Sequence, residues 1–282
     1  MSKAIYVTTI EPNSGKSLIS LGVLRMMLTK SSKVGYFRPI INKGVNDAFD
    51  NHTNTAINFF NLDINYEDCY AYEQNDVVEL LSEGKEDEII HHVIKKYKKL
   101  EAQFDFVLVE GTDFSGEGGF TEIDVNLMIA KNLGIPVLIV GAGNNKKKKD
   151  FINTMQITYA SFIHKEVDVI GVIANKIEVD EIEYIESELK NIVPSTVHID
   201  VVPKVNFLAY PTVKEVVEEL NGNVLFGEQF LDNSIGSFST GAMQLRNYLT
   251  RIKENALVIT PGDRADIILG ALQANASSNY PK

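Results

Sequence analysis

The tripeptide Gly15-Lys16-Ser17 stands between an apolar strand and a helix with one apolar face, and this feature restricts the fold most strongly. The strand is Ala4 to Ile10, and the helix starts near Lys16. Backbone N–H groups of such a loop point at an anion, the lysine adds positive charge, and a serine hydroxyl is a usual ligand of nucleotide-bound magnesium. The pattern predicts a phosphate-binding loop. Its residues are Glu11, Asn13, Ser14, Gly15, Lys16 and Ser17.

The front of this loop departs from the usual phosphate-loop motif. The consensus G-x-x-x-x-G-K-S/T has glycine where this sequence has Ile10, and Pro12 removes one amide donor. The alternative to phosphate binding is an ordinary strand, turn and helix with a surface lysine.

Charge and cysteine content restrict the partners and the compartment. The 282 residues include 27 basic and 38 acidic side chains, and the net charge of −11 argues against nucleic acid or an anionic membrane as the main partner. The single Cys69 cannot form an intrachain disulfide, and no charged and apolar N-terminal run marks secretion. We therefore expect a cytoplasmic protein that binds neither nucleic acid nor membrane.

Short β-branched runs alternate with longer segments of helical period, as in parallel strands joined by crossover helices. Expected strands lie near 4–10, 34–41, 104–111, 136–141, 167–174 and 196–202; expected helices lie near 16–29, 76–82, 86–101, 123–132, 150–164 and 180–191. Because most strands are apolar throughout, helices should cover both faces. The prediction is an α/β fold with a doubly wound, mostly parallel sheet, whose strand ends converge on one pocket.

The sequence becomes richer in Asn, Gly, Ser and Phe after Pro203, which indicates a second unit. We expect a first domain over 1–221 and a small α/β unit over 222–282, with a helix at 241–254, a strand at 256–260 and a helix at 263–274. So few residues bury little apolar surface. The second unit is therefore expected to be truncated or to need a partner surface.

Glu110 and Asn175 each end an apolar strand at the expected pocket. Glu110, paired with Ser17, is a candidate magnesium ligand, and the alternative is a carboxylate in a structural salt bridge. Asn175 and the following Lys176 are candidates for nucleotide recognition because a side-chain amide donates and accepts side by side; the alternative is turn chemistry.

Two sets of basic residues also fall at this sheet edge. Arg38 closes the second strand and can aim a guanidinium at phosphate or carboxylate, or form a structural salt bridge. The run Lys146 to Lys149 opens a helix, whose positive dipole end disfavours lysine, and so indicates an acidic neighbour or a bound anion.

The order of the loop, Arg38-Pro39, VLVEG and VIANK resembles the P-loop domain of dethiobiotin synthetases over about 200 residues. The later passage containing Gly262-Asp263-Arg264 resembles the start of a DRTGG domain. Together, the P-loop domain and a partial DRTGG domain resemble the N-terminal region of bacterial phosphate acetyltransferases. The resemblance implies a P-loop NTPase type of sheet.

The resemblance also implies a function and partners. In that family acetyl transfer between coenzyme A and phosphate is carried by a C-terminal domain, and the N-terminal part acts in assembly and in response to metabolites. The expected role is thus regulation, with a small-molecule effector, a homo-oligomer and the C-terminal acetyltransferase domain of the same full-length protein as partners. The alternative is a stand-alone ATP- and Mg²⁺-dependent carboxylase or amide ligase of the synthetase type.

The implied cofactor is ATP or another nucleotide with Mg²⁺, and weak or absent binding is the alternative expectation. A synthetase has lysine where Arg38 stands, and a metal-binding acid within the stretch DNHTNTA, where Asp50 is the nearby candidate. We therefore expect no ligation of a diamino acid with carbon dioxide, and no catalytic residue is assigned.

Overall fold

The computed structural model describes residues 3–9, 11, 13–44, 47–112 and 122–279. It divides into two compact units, Met1–Lys204 and Val205–Lys282. Ile10 and Pro12, at the front of the predicted loop, lie outside the described residues.

The first unit is built on a parallel sheet. Its strands are β1 (Ala4–Thr9), β2 (Val34–Phe37), β3 (Ile40–Ile41), β4 (Tyr72–Glu73), β5 (Phe106–Glu110), β6 (Val137–Ala142), β7 (Val169–Ile177) and β8 (His198–Pro203). Six of them form one sheet in the order β2-β5-β1-β6-β7-β8, and each neighbouring pair is parallel. The short strands β3 and β4 pair separately. The predicted α/β class is confirmed.

Helices cover both faces of this sheet, as the apolar strands required. They are α1 (Lys16–Leu28), α2 (Asn51–Phe60), α3 (Gln74–Ser82), α4 (Glu86–Gln103), α5 (Glu122–Leu133), α6 (Lys148–His164) and α7 (Ile182–Ile192). Successive residues of β1 point to opposite faces, so that Tyr6 joins one hydrophobic cluster and Val7 the other. The apolar strand sequence therefore reflects burial on both sides.

Strand order places the phosphate-type loop at the centre of the sheet. Strand β1 lies between β5 and β6, while the next strand of the sheet along the chain, β2, lies two positions away. From β1 the chain continues to β2 on one side, whereas from its neighbour β6 it continues to β7 on the other side. Such a switch point opens a crevice beyond the carboxyl ends of the strands. The loop that follows β1 lies at this crevice.

The second unit is a small two-stranded α/β structure. It contains α8 (Val213–Glu219), β9 (Ser237–Thr240), α9 (Leu245–Leu249), β10 (Ala256–Ile259) and α10 (Ala265–Ala276), and its two strands are parallel. Few of its described apolar side chains are fully buried; Ile235, Tyr248 and Ile267 are among them.

The division between the units lies at residues 204 and 205, earlier than the boundary expected at 221 and 222. Segment 205–221 belongs with the second unit because its backbone is bonded there. The amides of Val213 and Lys214 donate to the carbonyls of Asn233 and Leu231, and Thr212 forms an antiparallel bridge with Ser234. The change of composition after Pro203 lies at this division.

Several elements differ from the sequence prediction. The expected strand at 34–41 ends at Phe37, because the chain turns at Arg38-Pro39 and pairs with residues 69–72. Helix α2 was not predicted, although Asp50 caps it by accepting from the amide of Thr53 at 2.8 Å. In the second unit, the expected helix 241–254 is only Leu245–Leu249, and strand β9 is not expected from the sequence.

Among the described residues, no helix combines the length and apolar character needed to cross a bilayer.

Candidate functional site

The turn into α1 depends on Gly15. This residue has φ of 83°, a left-handed conformation that glycine adopts at little cost, and it stands immediately before the helix. A Cβ atom at this position would lie 2.4 Å from Nδ2 of Asn175, so that a side chain has no room either. Backbone conformation and close packing therefore both require the glycine of the predicted loop.

Lys16 begins α1 and is nearly buried, with 3% of its surface exposed. A buried ammonium group is costly unless negative groups compensate it. Glu110 supplies part of this compensation, since the charge of Lys16 is one of those that hold the pKa of Glu110 low. The alternative of an ordinary surface lysine is wrong for this position.

Asn175 and Lys176, at the end of β7, hold the loop from the side. The Asn175 amide donates to the Ser14 carbonyl at 2.8 Å, and the Lys176 ammonium donates to the Asn13 carbonyl at 2.6 Å. The Asn175 Oδ1 atom accepts from the amide of Lys176 at 2.9 Å. Both ends of this side-chain amide are thus engaged within the protein, which makes Asn175 a support of the loop.

The front of the loop is anchored to the lysine run. Lys146 forms an ion pair with Glu11, and Lys148 forms one with Glu181 at 3.3 Å. The acidic neighbour inferred from lysines at a helix start is therefore present for both residues. Glu11 itself directs its carboxylate at Lys146, so its predicted ligand contact stays a prediction.

Glu110 ends β5 beneath the loop and receives donors from several elements. Oε1 accepts from the Ser17 hydroxyl at 3.1 Å and from Nη1 of Arg38 at 3.4 Å, and Oε2 accepts from the Tyr36 hydroxyl at 3.1 Å. Nδ1 of His52 lies 3.2 Å from Oε1 and also contacts the Ser17 hydroxyl. Glu110 and Arg38 are each 2% exposed.

These neighbours set the ionisation of the buried groups. Burial alone would raise the pKa of Glu110, but hydrogen bonding from His52 and the charges of Arg38 and Lys16 lower it to about 2. Burial raises the pKa of Tyr36 well above its usual value, and the Glu110 charge raises it further. Glu110 is therefore ionised and Tyr36 neutral at neutral pH.

Helix α2 contributes two residues to this cluster. Asp50, at its start, lies 3.9 Å from Nη1 of Arg38 and is buried, whereas His52 is one third exposed. Sequence alone identifies Asp50 only as the remaining acid of its stretch and gives His52 no role. The N-cap pattern of Asp50 with Thr53 is the signal that could have found the helix.

The structure thus brings together the predicted site residues at the carboxyl edge of the sheet. Ser17, Arg38 and Glu110 form one cluster with His52 and Tyr36. Asn13, Ser14 and Gly15 contact the pair from β7.

The loop and the carboxylate of Glu110 differ in the kind of ligand that each can bind. A left-handed Gly15 before a 13-residue helix that begins with a buried lysine fits a phosphate group. The carboxylate of Glu110 fits a magnesium ion poorly, because Mg²⁺ needs open oxygen ligands in near-octahedral arrangement and these oxygens already accept from an arginine, a tyrosine and a serine. Among the described residues, no three His, Cys, Asp or Glu side chains cluster to hold a metal.

A parallel sheet with a Gly-Lys-Ser loop between its central strand and the following helix defines a fold of the P-loop NTPase type. The chain belongs to a family of this class described as "AAA domain", whose model matches residues 3–212. The model of the DRTGG domain matches residues 215–278.

Two longer proteins that are similar to this chain in sequence are both described as phosphate acetyltransferases. The chain is 39% identical over 285 residues to a phosphate acetyltransferase of Nitratidesulfovibrio vulgaris, covering all of this chain and 40% of that protein. It is 35% identical over 283 residues to a phosphate acetyltransferase of Synechocystis sp., covering all of this chain and 41% of the relative. The chain therefore spans about two fifths of the length of these relatives. The predicted resemblance to their N-terminal region, with a P-loop and a DRTGG domain, is confirmed.

Among solved structures, a complex of Cyanothece McdA with ATP is similar to this chain with a TM-score of 0.46 and 12% sequence identity. The similarity covers 80% of this chain and 98% of the other. At that level the similarity carries no argument about ligands.

Proposed function

We propose that this chain is the regulatory, nucleotide-binding region of a phosphate acetyltransferase and does not itself carry the acyl transfer. Acetyl transfer between acetyl coenzyme A and phosphate then belongs to a C-terminal acetyltransferase domain of the same full-length protein. The described site supports nucleotide binding, because the buried Lys16 and the start of α1 offer positive charge and backbone amides to an anion. The relatives, which are described as phosphate acetyltransferases and are much longer than this chain, also support it.

The observation that carries the proposal is the burial of Lys16 at the start of α1, beside the ionised Glu110. Placing an ammonium group there costs free energy, and an ordinary strand-turn-helix has no need of it. A phosphate bound at the loop would meet this charge, the positive end of α1 and its first backbone amides. The ligand class is therefore an organic phosphate, with ATP or another nucleotide as the effector.

Thermal unfolding of the intact chain tests the proposal. ATP, ADP, NADH, coenzyme A and, as a phosphate-free metabolite, pyruvate are added separately. A ligand at 100 times its dissociation constant stabilises the native state by about 2.7 kcal/mol, which raises the melting temperature of a unit of this size by about 5–10 °C. Lys16→Ala should abolish the shift, while Lys95→Ala, an exposed lysine of α4, should retain it. Absence of a shift with every phosphate-containing ligand would reject nucleotide binding.

Activity measurements distinguish the regulatory role from the synthetase-type alternative. The proposal predicts no acetyl transfer by this chain in either direction. It also predicts that adding the chain to the separate catalytic domain restores a response to the effector. A carboxylase or amide ligase would instead release phosphate from ATP when a suitable amine or acid is supplied, and would lose that release in Lys16→Ala. Assembly as a homo-oligomer is part of the proposal and is checked by light scattering.

A further inference from the structure

The carboxylate of Glu110 already has a positive group of the protein beside it. Nη1 of Arg38 lies 3.4 Å from its Oε1 atom, and the same nitrogen lies 3.9 Å from Oδ1 of Asp50. All three side chains are at most 2% exposed. The guanidinium is thus fixed between two carboxylates in a region from which water is largely excluded, where charges interact strongly.

The imidazole ring of His52 contacts both predicted metal ligands, Ser17 and Glu110. Ser17 and Glu110 are joined by a hydrogen bond of 3.1 Å, and Nδ1 of His52 approaches both of them. A divalent cation bound by Ser17 and Glu110 would have to displace this ring and compete with Arg38 for the same Oε1 atom. Two positive groups would then share one carboxylate.

In nucleotide sites, a magnesium ion offsets the repulsion between a protein carboxylate and the phosphate beside it. Here the permanently protonated guanidinium of Arg38 lies beside Glu110, with Nη1 3.4 Å from Oε1. The carboxylate of Asp50 accepts hydrogen bonds from the amides of Thr53 at 2.8 Å and Asn42 at 3.3 Å, which fix it at the start of α2. Asp50 is therefore held in place beside the guanidinium of Arg38.

We infer that this loop binds phosphate groups without a divalent cation, with the buried Arg38 serving as the built-in positive charge of the site. The inference rests on the proposed anion-binding function and adds that binding is independent of metal. It assigns to Arg38 a positioning and charge-balancing role, exerted through Glu110. The ligand class is then a polyphosphate or nucleotide in its metal-free form as well as its magnesium form.

Calorimetric titration of the intact chain with inorganic tripolyphosphate tests this, once with a chelator and once with excess magnesium. Titration of Lys16→Ala under both conditions corrects for heat from the magnesium–tripolyphosphate equilibrium. We expect dissociation constants that agree within about threefold, a difference of less than about 1 kcal/mol. Tightening of about tenfold or more by magnesium would overturn the inference while the proposed function stands. Absence of binding under both conditions would reject both.

A variant of Arg38 provides a second test of the inference. Arg38→Met removes the charge and keeps most of the bulk, and it should bind at least about tenfold more weakly in chelator, with magnesium restoring much of the loss. Arg25→Met, at an exposed position of α1, is the matched control and should behave as the parent chain. Unchanged affinity of a folded Arg38→Met chain in chelator would contradict the role given to Arg38. If this variant does not fold, the comparison on the parent chain decides.

Discussion

Nη1 of Arg38 lies 3.4 Å from Oε1 of Glu110, and this buried ion pair joins the turn after β2 to the end of β5. The two residues are 72 positions apart in sequence, and both are charged at neutral pH. Their pairing fixes the floor of the phosphate-type loop, because the Ser17 hydroxyl donates to the same carboxylate oxygen.

Breaking this pair should destabilise the first unit strongly. Arg38→Met or Glu110→Gln leaves one buried charge with less compensation and should lower the free energy of unfolding by about 3–5 kcal/mol, as for other buried pairs. The double variant should lose less than the sum of the two single variants, because neither charge then remains alone. Urea unfolding of the four proteins measures this coupling, and additive losses would show that the pair contributes little.

Acid should remove the contribution of Glu110. Its pKa is about 2 in the folded chain against an ordinary value of 4.5, so the ionised form stabilises the fold above pH 4.5. That stability is lost as the pH falls from 4.5 towards 2. The difference in unfolding free energy between the parent chain and Glu110→Gln should therefore shrink from about pH 6 to about pH 3. A difference that stays constant over this range would contradict the lowered pKa.

Gly15→Ala should damage the loop more than a glycine substitution elsewhere. The added methyl group would meet both a left-handed backbone and Nδ2 of Asn175 at 2.4 Å. Gly84 has φ of 70° and no atom within 4 Å of the place where a Cβ would lie, so Gly84→Ala isolates the backbone cost of about 1–2 kcal/mol. Thermal unfolding should show a larger loss for Gly15→Ala, together with loss of tripolyphosphate binding. Equal losses would mean that the close contact is easily relieved.

Asn175 should support the loop without distinguishing one nucleotide base from another. Since both ends of its amide are bonded within the protein, ATP and GTP should bind within about threefold of each other. Asn175→Ala should weaken both by a similar factor of about ten, because the Ser14 carbonyl loses its donor. Asn132→Ala, on the exposed side of α5, is the control. Strong preference for ATP that disappears in Asn175→Ala would instead support base recognition.

The strand and helix pattern predicted the sheet well, because strands buried on both faces carry a continuous apolar signal. The same pattern places Ser17, Arg38, Glu110 and Asn175 at one sheet edge, since each follows or closes a strand. It could not assign His52, because α2 contains mostly Asn, Thr and Phe and its place beside Glu110 is set by tertiary packing. Composition changes after Pro203, at the division of the two units, but it does not show that segment 205–221 belongs with the second unit, which depends on backbone bonds from 213 and 214 to residues 233 and 231.

Sequence also left open whether Asn175 reads a ligand or supports a turn. That choice depends on which atoms its amide reaches, and the carbonyl it contacts belongs to Ser14, 161 positions earlier in the chain. No local pattern contains such a pairing. The metal role of Ser17 and Glu110 stays a prediction, and the donors around the carboxylate are the physical reason to measure it with and without magnesium.

The end of β7 contacts two distant parts of the chain at once. Lys176 donates to the Asn13 carbonyl of the phosphate-type loop, and the next residue, Ile177, accepts the amide of Lys204 at 2.8 Å. Lys204 is the last residue of the first unit. The loop and the last residue of the first unit are therefore held by two adjacent residues of one strand.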